Sequence, residues 1–92
     1  MSSFKHVNPI YRTEADKLAK GLLENSIEFY YYDCWDGVQI VCDGWDAICH
    51  KGSYGHERGL LEIMGTIVRA DDDDVEGWLT AEEILQRLNL TA

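Results

Sequence analysis

The chain has 92 residues, of which 46% are hydrophobic, so it can bury one core and is too apolar for a disordered segment. Its 17 acidic residues outweigh 8 lysines and arginines, which gives a formal net charge of −9. This charge repels the phosphates of nucleic acids and anionic lipids and attracts basic protein surfaces. We therefore expect a basic protein as the partner, with no direct binding to nucleic acid or to a membrane.

The N-terminal stretch MSSFKHVNPIYRTEA lacks an apolar signal-like segment, and no run of about 18 apolar residues occurs. Three cysteines without a secretion signal indicate free thiols in a reducing compartment. The sequence predicts a cytoplasmic protein that forms a single domain over residues 1–92. Residues 1–12 are expected to be an irregular lead-in, because Pro9 opposes an early helix.

The first predicted element is a helix over TEADKLAKGLLENS, which starts at Thr13. Thr13 followed by Asp16 resembles a capping box. The apolar residues recur at helical spacing and form one stripe, which consists of Ala15, Leu18, Ala19, Leu22 and Leu23.

Two Asp-Gly pairs, Asp36-Gly37 and Asp43-Gly44, predict two tight hairpin turns. They give an antiparallel meander with strands at about 27–35, 38–42 and 45–50. In the expected register Trp35 lies opposite Val38, and Cys42 lies opposite Trp45. One face is then apolar and is expected to take the helices: Ile27, Phe29, Tyr31, Trp35, Val38, Ile40, Cys42, Trp45, Ala47 and Cys49, with Asp33 among them. The other face carries Tyr30, Tyr32, Val41 and Ile48 beside Glu28, Asp43 and Asp46.

The remaining chain predicts two more helices joined by an acidic loop. Ser53 is a plausible N-cap for a second helix, whose stripe comprises Leu60, Leu61, Met64, Ile67 and Val68. RADDDDVEGW is predicted as the loop. Thr80 with Glu83 forms a capping box for a third helix over 81–89. The expected fold is α+β, with element order αβββαα and the helices packed on one face of a three-stranded antiparallel meander.

The cysteines and histidines suggest metal or redox chemistry at first sight, but their arrangement opposes it. No Cys-x-x-Cys pair occurs, and alternation along the strands separates Cys34 from Cys42 and Cys49. The adjacent Cys49 and His50 point to opposite faces, so the histidine cannot act as base for that thiol. We predict no metal, no cofactor and no catalytic residues.

The stretch HKGSYGHERG concentrates positive and titratable groups in a glycine-rich turn. Such a turn can hold an anion or a nucleotide on its free N–H groups, although glycines needed for a tight strand-to-helix turn are the commoner explanation. The candidate anion-binding residues are Lys51, Ser53, His56 and Arg58.

Two sets of residues are candidates for binding a protein partner. The first is the acidic loop Asp71, Asp72, Asp73 and Asp74 with Glu76, which is either a contact surface for a basic partner or a solvated connection. The second is Tyr30 and Tyr32 with Asp43 and Asp46, since aromatic residues ringed by acids suit protein contacts. The alternative is that the N-terminal segment, or another copy of the chain in a homodimer, covers this face.

The layout of helix, three-strand meander and two helices, with its strong acidic excess, resembles small phage-encoded inhibitors of bacterial defence. Among these are anti-CRISPR proteins that occupy the DNA-binding site of Cas9 by presenting carboxylates. The resemblance implies a non-enzymatic protein that imitates phosphate charge and inhibits a basic, nucleic-acid-handling protein such as a nuclease. Two alternatives remain open, namely an antitoxin or toxin-immunity protein, and a binder of a small anionic ligand through the 50–59 turn.

Overall fold

A computed structural model of the chain describes residues 4, 6–69 and 74–90. The described residues form an α+β fold in which a five-stranded antiparallel sheet, of order β1-β2-β3-β4-β5, packs with two helices. The elements in chain order are a 3₁₀ turn Pro9–Arg12, α1 Thr13–Glu24, β1 Tyr30–Cys34, β2 Gly37–Cys42, β3 Trp45–Cys49, a 3₁₀ turn His56–Arg58, β4 Leu61–Gly65, β5 Val75–Leu79 and α2 Ala81–Arg87.

The first helix begins at Thr13, where it was predicted, but it is not capped as predicted. Thr13 does not cap α1, because the 3₁₀ turn runs directly into the helix and the N-cap residue, Arg12, makes no capping hydrogen bond with its side chain. The cap lies one element earlier, where Asn8 Oδ1 accepts from the N–H of Ile10 at 3.1 Å. Helix α1 therefore inherits its direction from the preceding turn.

The β2–β3 hairpin has the predicted register, with Cys42 opposite Trp45 and Val38 opposite Cys49. The β1–β2 hairpin does not, because Asp33 rather than Trp35 lies opposite Val38. The turn consists of Trp35 and Asp36 instead of Asp36 and Gly37. The pairing of β1 with β2 is thus shifted by two residues from the predicted register. Because side chains alternate between faces, a shift of two residues leaves each residue of β1 on its predicted face.

The predicted second helix is wrong, and so is the count of three strands. Residues 61–65 form β4, which pairs with β3 through Ala47 opposite Ile63 and Ile48 opposite Glu62. The predicted acidic loop gives way at residue 75 to β5. The apolar residues in this stretch fit both the spacing of a helix and the alternation of a strand. Gly59 and Gly65, at φ 72° and 113°, end any helix.

The core lies between the two helices and one face of the sheet. Its fully buried side chains come from α1, from α2 and from alternate positions of three strands; the largest are Leu18, Leu22, Ile40, Leu61, Ile63, Ile84, Val38 and Cys49. The helices meet closely at Gly21, where an added Cβ would lie 2.5 Å from a methyl carbon of Leu85. Both helices thus share one side of the sheet.

The capping box predicted for the last helix is confirmed. Thr80 Oγ1 accepts from the N–H of Glu83 at 3.2 Å, and Glu83 Oε1 accepts from the N–H of Thr80 at 2.9 Å. Helix α2 is tied to α1 at the same point, because Glu14 Oε1 accepts from the N–H of Ala81 at 2.8 Å. Three of the N-terminal donors are therefore satisfied by side chains.

Candidate protein-interaction surface

The sheet face opposite the helices carries an exposed aromatic and apolar surface, which we call the open face. The ladders place its side chains in two rows across the strands: Tyr30, Val41, Asp46, Met64 and Val75 in one, and Tyr32, Gln39, Ile48 and Glu62 in the other. Tyr30, Met64 and Tyr32 are 66%, 49% and 40% exposed. Large side chains that remain exposed together in this way are typical of contact surfaces.

A chain of side-chain hydrogen bonds crosses the centre of the open face. The hydroxyl of Tyr32 donates to Gln39 Oε1 at 2.7 Å, and Gln39 Nε2 donates to Asp46 Oδ2 at 2.9 Å. Beside this chain lies a shallow depression of about 480 Å³, whose lining includes Val41, Asp46 and Met64. A tyrosine ring, an ordered amide and a carboxylate therefore lie next to one another on the open face.

Two tryptophans flank this surface in an unusual backbone conformation. Trp35 and Trp78 both have a positive φ, of 58° and 62°. They are also largely exposed, at 81% and 54%. The Trp35 ring lies on that of His50, with centroids 4.9 Å apart, and the N–H of Trp78 donates to the carbonyl of Tyr54 at 3.3 Å. A positive φ at a bulky residue costs of the order of 1 kcal/mol, and such strain concentrates at functional sites.

Carboxylates gather at one end of the sheet. Because the strands are antiparallel, the starts of β1, β3 and β5 meet the β2–β3 turn at the same end. The acidic residues at this end are Glu28, Asp43, Asp46 and Asp74, and we call this set the acidic end. Of the predicted partner-binding residues, Tyr30, Tyr32 and Asp46 lie on the open face, and Asp43 and Asp74 lie at its margin. Asp71, Asp72 and Asp73 lie outside the described residues.

Glu76 has a different environment from the other predicted acidic residues. Its carboxylate accepts from both terminal nitrogens of Arg87 on α2 and from the N–H of Arg69 at 3.1 Å. The hydrogen bond from Arg87, followed by the one from the Arg69 backbone, lowers the pKa of Glu76 to about 2 against the opposing effect of burial. Glu76 thus joins β5 to α2 and its charge is already compensated within the chain.

Several groups of the predicted anion-binding turn already bind other groups of the protein. The buried hydroxyl of Ser53 accepts from the N–H of His50 at 3.0 Å and donates to its carbonyl at 2.9 Å. His56 Nδ1 lies 3.1 Å from the hydroxyl of Tyr11, and the N–H of Lys51 donates to Asp36. Arg58 is exposed on the adjoining 3₁₀ turn. These contacts fit a structural connection better than an anion cradle.

The three thiols are poorly suited to nucleophilic chemistry. Burial raises the pKa of Cys42 to about 11 and that of Cys49 to about 12, with a contribution from Asp36 and Glu57 at Cys49. Burial, with nearby Asp33 and Asp46, also raises the pKa of Cys34. All three are therefore thiols rather than thiolates near neutral pH. Over residues 4, 6–69 and 74–90, no group of three or more histidine, cysteine or acidic side chains has the geometry to hold a metal ion.

Several residues of the surface were not found by sequence reasoning. Met64 was assigned to a helix, Trp35 to the apolar face and Trp78 to a loop. The alternation of Leu61 and Ile63 with Glu62 and Met64 is the signal that could have placed Met64 on the open face. The exposure of Trp35 depends on a turn shifted by one residue, which the Asp-Gly pair does not indicate.

Comparison of the chain with family models, curated proteins and solved structures found no match. In the described part of the chain, no helix has both the length and the apolar character needed to cross a membrane. Function is therefore inferred from the chemistry of the open face.

Proposed function

We propose that the protein is a non-enzymatic acidic interaction protein that binds a basic, nucleic-acid-handling protein through the open face and blocks it. The supporting observation is the combination, on one side of the sheet, of exposed Tyr30, Tyr32 and Met64 with the carboxylates of the acidic end. Aromatic side chains supply desolvated contact area, and the carboxylates select a positively charged partner.

The inhibitory mechanism is imitation of phosphate charge. A nucleic-acid channel presents rows of lysines and arginines whose counterions are released when phosphates enter. The acidic end offers such a channel carboxylates in place of phosphates, and the net charge of −9 steers the encounter. The rings of Tyr30 and Tyr32 then contact the apolar surface between the basic side chains of the channel, where the binding energy would be concentrated.

An antitoxin or toxin-immunity protein is the alternative within the same class, because a basic ribonuclease or deoxyribonuclease toxin would need the same surface. Binding of a small anion at the 50–59 turn receives less support, since Ser53 and His56 are already engaged by protein groups. The thiols also favour a role in binding over one in catalysis, because burial keeps Cys42 and Cys49 protonated.

The test is binding of the immobilised protein to purified basic nucleases, including a Cas9–guide RNA complex and a ribonuclease toxin. The Tyr30→Ser/Tyr32→Ser double variant removes exposed rings from the open face. Leu23→Ser is the matched control, because Leu23 is exposed on α1 on the helix side of the sheet. We expect salt-sensitive binding and nuclease inhibition that the double variant loses and the control keeps. A nuclease bound equally well by both variants would place the contact away from the open face.

A further inference from the structure

The sheet has two edge strands that are built in different ways. Strand β5 is irregular, because its register shifts between Leu61 and Ile63 and Trp78 adopts a positive φ. The N–H of Trp78 is also engaged by the carbonyl of Tyr54. Bulges of this kind are a usual means of preventing a further strand from pairing at an edge.

Strand β1 has no such bulge within the described residues. Its five residues pair with β2 in unbroken register, from Tyr30 opposite Val41 to Cys34 opposite Gly37. Within the described residues, no backbone hydrogen bond outside the β1–β2 ladder involves residues 30–34. A regular, exposed edge presents a row of main-chain donors and acceptors to another extended chain.

The charges along β1 indicate what kind of chain would pair there. Asp33 and Glu28 are exposed, and neither is in an ion pair within the described chain. The basic group next to this edge, Arg12, is compensated by Asp16 at 3.2 Å. Asp16 also accepts from the hydroxyl of Tyr31 at 2.7 Å. The edge therefore favours a positively charged segment over a second copy of a chain whose net charge is −9.

We propose that β1 is a docking edge for an extended, arginine- and lysine-rich segment of the partner, which adds to the sheet as a further strand. The inference rests on the proposed function and specifies how the basic partner is held. Main-chain hydrogen bonds to β1 supply affinity, as in other cases of strand addition. Alternate side chains of the added strand fall on the open face beside Tyr30 and Tyr32, where a guanidinium can stack on a tyrosine ring.

The probe is the peptide acetyl-RVRVRVR-amide, tested by calorimetry and by amide hydrogen exchange of the full-length protein at low salt. Two further peptides carry N-methyl groups on all the valines or on all the arginines. Each set of methyl groups blocks one edge of an extended peptide, because successive N–H groups point to opposite edges. We expect one methylated peptide to lose at least tenfold in affinity while the other binds. Among residues 30–34, the amides that point away from β2 should gain protection, and those of α2 should not.

Two protein variants test the charge requirement. Asp33→Asn and Glu28→Gln should each weaken binding of the unmodified peptide roughly two- to fivefold, as expected for exposed charge pairs. Glu82→Gln removes the same charge from the exposed surface of α2 and should leave binding unchanged. Circular dichroism of each variant verifies that the fold is retained.

The outcomes separate this inference from the proposed function. If both methylated peptides bind like the parent and the outward-pointing β1 amides gain no protection, strand addition is overturned while binding of basic partners stands. If the β1 amides that point away from β2 are already protected in the free protein, the edge is occupied by the chain itself and the inference also fails. If neither the peptide nor poly-L-arginine binds at low salt, both proposals fall.

Discussion

Arg87 on α2 donates through both terminal nitrogens to the carboxylate of Glu76 on β5. The same guanidinium donates to the carbonyl of Ile67 at 3.3 Å. A single arginine therefore holds the last helix to the edge strand and to the segment that leaves β4. Bidentate arginine–carboxylate pairs are among the strongest polar contacts in proteins, and this pair is largely shielded from water.

This ion pair predicts a specific dependence of stability on pH. The pKa of Glu76 falls from its ordinary value of 4.5 to about 2. A lowered pKa in the folded state means that the contribution is complete above pH 4.5 and is lost as the pH falls through about 2. Glu76→Gln should therefore lower the free energy of unfolding by about 1–3 kcal/mol at pH 7. This difference in the free energy of unfolding between wild type and variant should become smaller as the pH falls from 4.5 to 2.

Urea denaturation at several pH values measures this difference. Glu82→Gln is the control, because it removes an exposed carboxylate from α2 without breaking an ion pair. A deficit for Glu76→Gln that is the same at pH 7 and at pH 2 would show that the effect comes from packing rather than from charge.

The capping box predicts the effect of a substitution at Thr80. Thr80→Ala removes the oxygen that accepts from the N–H of Glu83 at 3.2 Å. Losing such a cap costs about 1 kcal/mol. The denaturation midpoint should fall accordingly while the slope with denaturant stays the same. An unchanged midpoint would mean that Glu14, which accepts from the N–H of Ala81, is sufficient to hold the start of α2.

Gly37 is required for close approach of two strands rather than for a turn. A Cβ at this position would lie 1.9 Å from the carbonyl oxygen of Cys49 and 2.7 Å from the Cα of His50. Gly37→Ala must therefore push β2 away from β3, and we expect a loss of about 1–3 kcal/mol or more. Gly52→Ala is the matched control, because the nearest atom to its added methyl is 3.3 Å away. Thermal unfolding of the two variants compares these costs.

Gly37 also shows where sequence reasoning reached its limit. An Asp-Gly pair favours a turn in which the glycine takes a positive φ, and Gly44 does so at 85°. At the other pair the positive φ falls on Trp35, because Gly37 is needed inside the ladder. Local turn chemistry is readable from the sequence, whereas contact with a neighbouring strand is a tertiary effect.

The same distinction explains the outcome for the other elements. Helix α1, the β2–β3 hairpin and the Thr80 cap depend on contacts within a few residues, and all three were predictable. Strands β4 and β5 pair with partners supplied by the rest of the fold, so β4 was mistaken for a helix and β5 for a loop. The tyrosines of the open face followed from alternation along β1, but Met64 could be placed there only after β4 was known.

The charge of the acidic loop is expected to raise the rate of association with a basic partner. Asp74 is exposed at the start of β5, beside the open face, and Asp71, Asp72 and Asp73 precede it in sequence. Replacing all four with asparagine removes four charges and keeps the size and polarity of the loop. Association with a basic nuclease should slow, since complementary fields act mainly on the association rate. The effect should weaken with salt, because charges are screened within about 8–10 Å at physiological ionic strength.

A variant with carboxylates removed elsewhere on the surface distinguishes local from overall electrostatics. The triple variant Glu24→Gln/Glu57→Gln/Glu82→Gln removes three exposed carboxylates that lie outside the acidic end. If position matters, this variant should slow association less per charge than the tetra-asparagine variant, in stopped-flow measurements at two salt concentrations. Folding of both variants should hardly change, and it should improve slightly as self-repulsion falls. Equal rates for the tetra-asparagine variant and the wild type at low salt would make the loop a passive connection. The exposed rings of Tyr30 and Tyr32 would then have to provide recognition without electrostatic help from it.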